Sequence, residues 1–328
     1  MFNDIYVTQS QRFVKLSCKT HISKILESHK WTKRTNASPL HSPMNHHKKY
    51  MADVKFTTRP TDTDPKIVLE KEMKFLYRQA IGELIFAVIT CRPDILYSII
   101  KLSQYNTKPA HIHYLDVKHV FKYLCDIIDD GIYYWRPTLQ LDLPNLPWTT
   151  IPHDNHDVQI LPSLLTQPVG FVDSYWAGNT SHCRSTSRIC LCFAGAPVVY
   201  RSWFQPTVSL SSSEAGFIAA TEAGRLILCL CSMLNDLDIS QESATIIYKD
   251  NCAATSMTNA SQPTHQTRHM DIKRLTLLDW VTTDQLILSA ISTHDNLADS
   301  LTKFLGTQLC SRHTATTLGK RQPSYCTF

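Results

Sequence analysis

Four acidic residues stand at the ends of apolar segments or at the start of a helix-like one. Asp173 ends the stretch VGFVD, Asp250 ends TIIYKD, and Asp299 lies in NLADSLTKFL. Glu214 follows three serines in VSLSSSEAGFIAATEA, where a serine hydroxyl and an acid are ordinary helix-start chemistry. One such acid is usually a solvated end of a strand or helix. The ordered set of four is therefore the feature that points to a shared site.

Carboxylates held together at the edge of a sheet bind hard cations that prefer oxygen ligands, above all Mg²⁺. Apolar neighbours precede Asp173 and Asp250, so each carboxylate is expected at the end of a buried strand. The sequence therefore predicts a divalent-cation site formed by Asp173, Glu214, Asp250 and Asp299.

Composition excludes some classes of protein and leaves others open. The 328 residues are 43% hydrophobic and 19% charged, which is typical of a globular chain of about two domains. A net charge of +5 suits a nucleic-acid partner and a mildly basic protein equally well. The eleven cysteines contain no C-x-x-C pair, which argues against a zinc ribbon or a thioredoxin-type motif. Reduced cysteines, no apolar run of about 18 residues and no signal-peptide pattern predict an intracellular protein without a membrane partner.

The first half of the chain predicts a mainly helical region. IYVTQ and FVKLS predict a strand pair, followed by a helix that Thr20 caps. Polar, proline-broken sequence from Thr35 to Lys66 predicts an extended connection. Two helices are expected between Leu69 and Tyr105 and a third over His111 to Asp126, before the short strand IYYW.

The second half predicts a mixed sheet with flanking helices. Residues 138–167 contain four prolines and are interpreted as a linker, where limited proteolysis is expected to release a stable C-terminal fragment. Three strands, a long helix from Ser212, and helices alternating with two more strands then predict a five-stranded sheet. The expected elements include the strands Val169–Ser174, Arg188–Phe193 and Val198–Trp203, the strand TIIY, a short helix from Asn251, a helix over Arg268–Thr282, the strand QLILSAIS and a last helix at Leu297–Phe304.

Six blocks of this half resemble the ribonuclease H domain of copia-type retrotransposon polyproteins. They are FVDSYWAG, RSTS, VSLSSSEAGFIAATEA, IIYKDNCAA, TRHMDIK and NLADSLTK, in the order in which the family has them. The resemblance implies a ribonuclease H-like α/β fold over residues 168–306, followed by a C-terminal tail at 307–328.

The resemblance also implies an activity, which is metal-dependent hydrolysis of RNA in RNA–DNA hybrids. Asp173, Glu214, Asp250 and Asp299 match the positions that hold two Mg²⁺ ions in the family, with Mn²⁺ as an alternative. His294 would shuttle protons as a mobile histidine, or it is simply a solvent-facing loop residue. The block RSTS offers Arg184, Ser185 and Ser187 for phosphate contacts, or as plain loop caps.

The first half is similar to the end of a copia-type reverse transcriptase, its thumb and connection. LSCKTHISKILESHKW, SPLHSPMN, YRQAIGELIFAVITCRPDILYSIIKLSQY and HVFKYL carry this similarity, which covers residues 1–137. The polymerase's Tyr-x-Asp-Asp hairpin does not occur, because Asp129 and Asp130 lack the tyrosine that the motif requires. The missing polymerase portion of a parent polyprotein is thus an expected partner. The resemblance implies a cytoplasmic location in virus-like particles, or a nuclear one.

Three positions depart from the family pattern without removing a cation ligand. Tyr175 replaces a second acid in the first motif, Gly216 stands two positions after Glu214 where another acid is usual, and Arg188 replaces a glycine. These departures keep a second hypothesis open, in which the chain is a relic or a module that binds nucleic acid without cutting it.

Overall fold

The fold is described by a computed structural model for residues 4–31, 39–44, 66–136, 166–176, 183–250, 268–301 and 307–320. The predicted linker lies almost entirely outside the described residues. The same holds for the short helix expected from Asn251 and for most of the connection expected before Lys66.

The first half pairs a small sheet with a group of helices, as predicted. Strands β1 (Tyr6–Gln9), β2 (Phe13–Ser17) and β3 (Ile132–Trp135) form an antiparallel sheet in the order β1-β2-β3. Five α-helices accompany it: α1 (Lys19–Ser28), α2 (Lys66–Met73), α3 (Tyr77–Thr90), α4 (Leu96–Ser103) and α5 (His111–Asp126). A 3₁₀ turn at Pro93–Ile95 starts α4 with proline at its first position, where a missing amide costs little.

Two details of this half differ from the sequence analysis. Thr20 lies inside the first turn of α1, because the N-cap position is Cys18. The helix expected after Leu69 is broken at Lys74, whose φ of 62° is left-handed. This break places Phe75 in an aromatic cluster with Trp31 and Tyr114, at centroid distances of 5.3 and 5.2 Å. Local helix propensity is overridden because the buried aromatic contacts require the turn.

The second half contains the mixed five-stranded sheet that the sequence predicted. Its strands are β4 (Val169–Tyr175), β5 (Thr186–Phe193), β6 (Ala196–Phe204), β7 (Thr245–Lys249) and β8 (Leu286–Ala290). The order is β6-β5-β4-β7-β8, with antiparallel pairs among the first three strands and parallel pairs joining β4, β7 and β8. The predicted α/β fold class with a mixed five-stranded sheet is thereby confirmed.

Two helices pack on one face of this sheet: α6 (Ser212–Asp236) and α7 (Arg268–Thr282). α6 turns small residues to the sheet, and Ala219, Ala220 and Ala223 are buried with Val172 and Ile189. Small side chains let the helix backbone approach the strands closely. Within the described residues, α6 is also the one helix that is long and apolar enough to cross a membrane. The core helix of a soluble protein can have the same length and apolarity.

The chain continues past the sheet through two further helical segments. The helix predicted at Leu297–Phe304 is observed as a 3₁₀ helix at Leu297–Leu301, and α8 (Thr307–Thr317) lies in the segment interpreted as a tail, where no helix was predicted. The indole of Trp135 donates to the carbonyl of Gly319 at 2.7 Å, and Lys320 pairs with Asp130. The segment therefore returns to the first half.

The two halves share one hydrophobic core. Phe171 and Cys190 of the sheet are fully buried in the same cluster as Tyr77 and Leu84 of α3. The hydroxyl of Tyr200 donates to the carbonyl of Val88 at 2.6 Å across this boundary. An apolar interface of this kind resembles a domain core more than a contact between independent domains.

We therefore expect the halves to stay associated after the chain is cut between them. A site for a specific protease, inserted among residues 138–165, should give two fragments that co-elute under native conditions, because the shared core outlasts the covalent link. The measurement is size-exclusion chromatography of the cleaved protein with and without urea. Release of a folded C-terminal fragment without denaturant would show instead that the interface is weak.

Candidate functional site

The first two aspartates are brought together by the parallel pairing of β4 and β7. Val172 is the register partner of Lys249, so Asp173 and Asp250 follow at neighbouring positions just beyond the last paired residues of β4 and β7. Carboxyl ends of adjacent parallel strands form the usual crevice for ligands in α/β sheets. Asp173 is buried and Asp250 is half-buried.

Asp299 completes a cluster of three carboxylates. One carboxylate oxygen from each of Asp173, Asp250 and Asp299 lies within 4.8 Å of the other two. Asp299 is buried in the 3₁₀ helix. Buried carboxylates at this spacing repel one another, and a cation between them offsets that repulsion. Three acidic oxygens from separate elements fit the preference of one divalent cation for hard ligands.

Asn296 holds Asp299 in place and was not singled out in the sequence. Its fully buried amide donates to the carbonyl of Val172 at 3.0 Å, and its side-chain oxygen accepts from the amide of Ala298 at 3.1 Å. The amide of Asp299 donates to the carbonyl of Asn296 at 3.0 Å. In the sequence, Asn296 is visible only as an asparagine three residues before Asp299. Its contact with β4 in the folded chain is what shows its role.

Glu214 is not a member of the group of three acids whose oxygens lie within 4.8 Å of one another, and its role as a cation ligand stays a prediction. Its carboxylate accepts from the amide of Leu210 at 2.6 Å, and its own amide donates to the hydroxyl of Ser211 at 3.1 Å. These two hydrogen bonds cap the start of α6, which is the ordinary interpretation of a serine followed by an acid. In this structure the buried Glu214 side chain is engaged by the helix start.

Arg188 and Lys249 bring positive charge to the site, and the sequence analysis assigned neither of them a role there. Arg188 is the cross-strand partner of Asp173, and its Nη1 lies 3.0 Å from Oδ2 of that aspartate. Burial lowers the pKa of Arg188, and the charge of Asp173 opposes that effect. Burial likewise lowers the pKa of Lys249, against the charges of Asp250 and Asp173. Each pKa shift is the effect of moving a cation from water into the protein.

The other residues predicted for the site differ in their exposure to solvent. His294 is exposed in a turn, where its main-chain amide donates to the hydroxyl of Ser292 at 3.2 Å. Arg184 is also exposed. Ser185 and Ser187 are fully buried, and the hydroxyl of Ser187 accepts from the amide of Gln205 at 2.7 Å. Among the three residues predicted to contact phosphate, Arg184 is the one with an exposed side chain.

We expect Asn296→Ala to lower the free energy of unfolding by about 1–3 kcal/mol, because the buried carbonyl of Val172 would lose its partner. Chemical denaturation measures this. Asn235→Ala is the matched control, since the Asn235 side chain accepts one exposed hydrogen bond from the amide of Gln241. Equal losses in the two variants would contradict the structural role assigned to Asn296.

Comparison with known proteins adds the family context. The chain is 26% identical over 297 residues to the retrovirus-related Pol polyprotein from transposon TNT 1-94 of Nicotiana tabacum, covering 90% of this chain. It is 28% identical over 260 residues to the corresponding polyprotein from transposon RE2 of Arabidopsis thaliana, covering 77% of this chain. It spans 19% and 16% of the length of these two relatives.

No protein-family model matches the chain. Among solved structures, the ribonuclease H1 of Halobacterium salinarum is similar at 15% identity with a TM-score of 0.30, covering 41% of this chain and 93% of that one. The sequence comparisons confirm the resemblance inferred from the motifs: over nine-tenths of its length, the chain is similar to part of the retrovirus-related Pol polyproteins of transposons.

Proposed function

We propose that the chain is a ribonuclease that hydrolyses the RNA strand of RNA–DNA hybrids with the help of Mg²⁺ or Mn²⁺. The observation that carries this proposal is the convergence of Asp173, Asp250 and Asp299, whose carboxylate oxygens lie within 4.8 Å of one another. The similarity to transposon Pol polyproteins supports a nucleic-acid substrate. The proposed location is inside the cell, in the cytoplasm or the nucleus.

The aspartates have a definite task in this reaction. A divalent cation bound here supplies Lewis-acid charge to a phosphate oxygen and to the attacking water. Asp173 and Asp299 are buried, so their carboxylates are held rigidly, and Asn296 fixes the backbone before Asp299. The half-buried Asp250 is the member of the cluster through which the substrate approaches from solvent. His294 exchanges protons with the leaving 3′ oxygen in this proposal, and Glu214 supports the helix beside the site.

Recognition of the hybrid is proposed to depend on its backbone. The 2′-hydroxyl and the A-like shape distinguish an RNA strand without contacts to base edges. Arg184 is exposed and suits a phosphate contact. Because the chain spans less than a fifth of its first relatives, the polymerase portion of such a polyprotein is the proposed protein partner.

A second candidate function is binding of the hybrid without cleavage. The ion pair between Arg188 and Asp173 favours this alternative, because a buried guanidinium occupies one oxygen of a proposed cation ligand. Loss of catalysis would leave the exposed, basic contacts to phosphate intact. The two functions differ in whether a labelled hybrid is cut in the presence of Mg²⁺.

We expect Asp250→Asn to abolish cleavage of a labelled RNA–DNA hybrid, because an amide does not supply the negative charge that the cation needs. Asp299→Asn should lower the rate less completely. Hybrid binding should persist in Asp250→Asn, because the proposed contacts to the phosphate backbone do not use this carboxylate.

The matched control is Asp279→Asn, an exposed aspartate on α7. It should cleave at the wild-type rate. RNA–RNA and DNA–DNA duplexes are assayed beside the hybrid. Equal cleavage by wild type and Asp250→Asn would refute the assigned mechanism, and a folded wild type that binds the hybrid without cutting it would establish the second candidate.

His294→Ala should slow turnover by no more than about 100-fold, which is the lower end of the usual range for general acid–base catalysis, because the group is exposed and mobile. The measurement is the single-turnover rate with saturating Mg²⁺. A loss as complete as that of Asp250→Asn would make His294 indispensable and contradict this ranking.

A further inference from the structure

Arg188 places a permanent positive charge directly on one member of the aspartate cluster. Its Nη1 lies 3.0 Å from Oδ2 of Asp173, and the two side chains are only 5% and 6% exposed. A guanidinium stays protonated in proteins and is costly to bury unless a carboxylate pairs with it. One oxygen of Asp173 is therefore neutralised by the protein itself.

Lys249, the last residue of β7, places a second positive charge on the face of the sheet that α6 covers. The side chain is 6% exposed and faces α6, since Lys249 is the register partner of Val172, which packs there. Its charge interacts with those of Asp250 and Asp173.

Gly216 makes room for this ammonium. A Cβ added at Gly216 would lie 2.0 Å from Nζ of Lys249 and 3.0 Å from its Cε, so a larger residue at 216 would displace the lysine. The family pattern has an acid at this position. The glycine and the buried lysine are therefore linked by packing.

The balance of charge then decides how many divalent cations the cluster can accommodate. Three aspartates carry three negative charges, and Arg188 and Lys249 offset two of them. When one divalent cation binds, the three aspartates, Arg188, Lys249 and the cation together carry a net charge of +1. Three carboxylates without Arg188 and Lys249 would reach the same net charge with two divalent cations. A second divalent cation would have to bind against a net positive charge in a partly buried site, where charges are poorly screened.

We propose that Arg188 and Lys249 replace one of the two metal ions that the family pattern implies, so that this site takes a single divalent cation. The inference rests on the proposed function, because it assumes that the aspartates bind a cation. Within that function, Arg188 and Lys249 are positioning residues that set the number of cations and the charge offered to a phosphate.

The test counts bound cations on the full chain, without any assay of activity. Mn²⁺ alone is the probe, and electron paramagnetic resonance of free Mn²⁺ together with calorimetry gives the number bound and the affinity. We expect one Mn²⁺ per wild-type chain and two in the double variant Arg188→Met, Lys249→Met, which keeps side-chain volume and removes both charges.

Two further variants separate charge from packing. Arg188→Lys keeps the charge and should still bind one Mn²⁺. Arg201→Met removes an exposed arginine of β6 that pairs with Glu222 of α6, and this variant should also bind one Mn²⁺. If the double variant does not fold, Lys249→Met alone is measured and should bind Mn²⁺ about tenfold more tightly, since a nearby charge shifts such equilibria by one or more pK units.

The outcomes separate this inference from the function on which it rests. The inference is overturned if the wild-type chain binds a number of Mn²⁺ ions other than one. It is also overturned if the double variant binds no more Mn²⁺ than the wild type and Lys249→Met does not bind it more tightly. If a cation still binds in that case, the proposed ribonuclease function stands. Absence of Mn²⁺ binding in every folded variant overturns the proposed function as well.

Discussion

The parallel pairing of β4 with β7 is the interaction on which the rest of the site depends. It joins two strands that lie far apart in the sequence, and the paired residues end at Val172 and Lys249, so that Asp173 and Asp250 become neighbours. Hydrogen bonds of the ladder fix the register, and a slip by one residue would turn each side chain to the opposite face of the sheet. The packing of α6 on Val172 and Ile189 protects this pairing from water.

The third aspartate depends on a different kind of contact. Asp299 lies in a segment that is tied to β4 by the buried amide of Asn296, beside apolar packing of Leu297 and Leu301. A hydrogen bond of this type contributes modestly when it is made and is expensive when its partner is lost. Sheet pairing therefore positions two of the aspartates, and contacts of the 3₁₀ segment position the third.

The two buried cations distinguish this site from a simple cluster of acids. Arg188 and Gly216 were noticed in the sequence only as departures that remove no ligand. In the folded chain the first pairs with Asp173, and the second leaves the space that Lys249 fills. The departures at Arg188 and Gly216 thus bear on one property, the net charge of the site. The first half contributes to the same environment, because it shares a hydrophobic core with the sheet.

The sequence by itself determined the class of fold and pointed to the acids that cluster in it, because periodic apolar segments and residues at their ends are local features. It predicted the five-stranded sheet, the long α6 helix and the identities of Asp173, Asp250 and Asp299. Only the tertiary structure decided that Glu214 is engaged by the start of α6, that Arg188 and Lys249 stand beside the aspartates, and that α8 returns to the first half. These are contacts between residues distant in the chain, and their geometry depends on packing that no local pattern specifies.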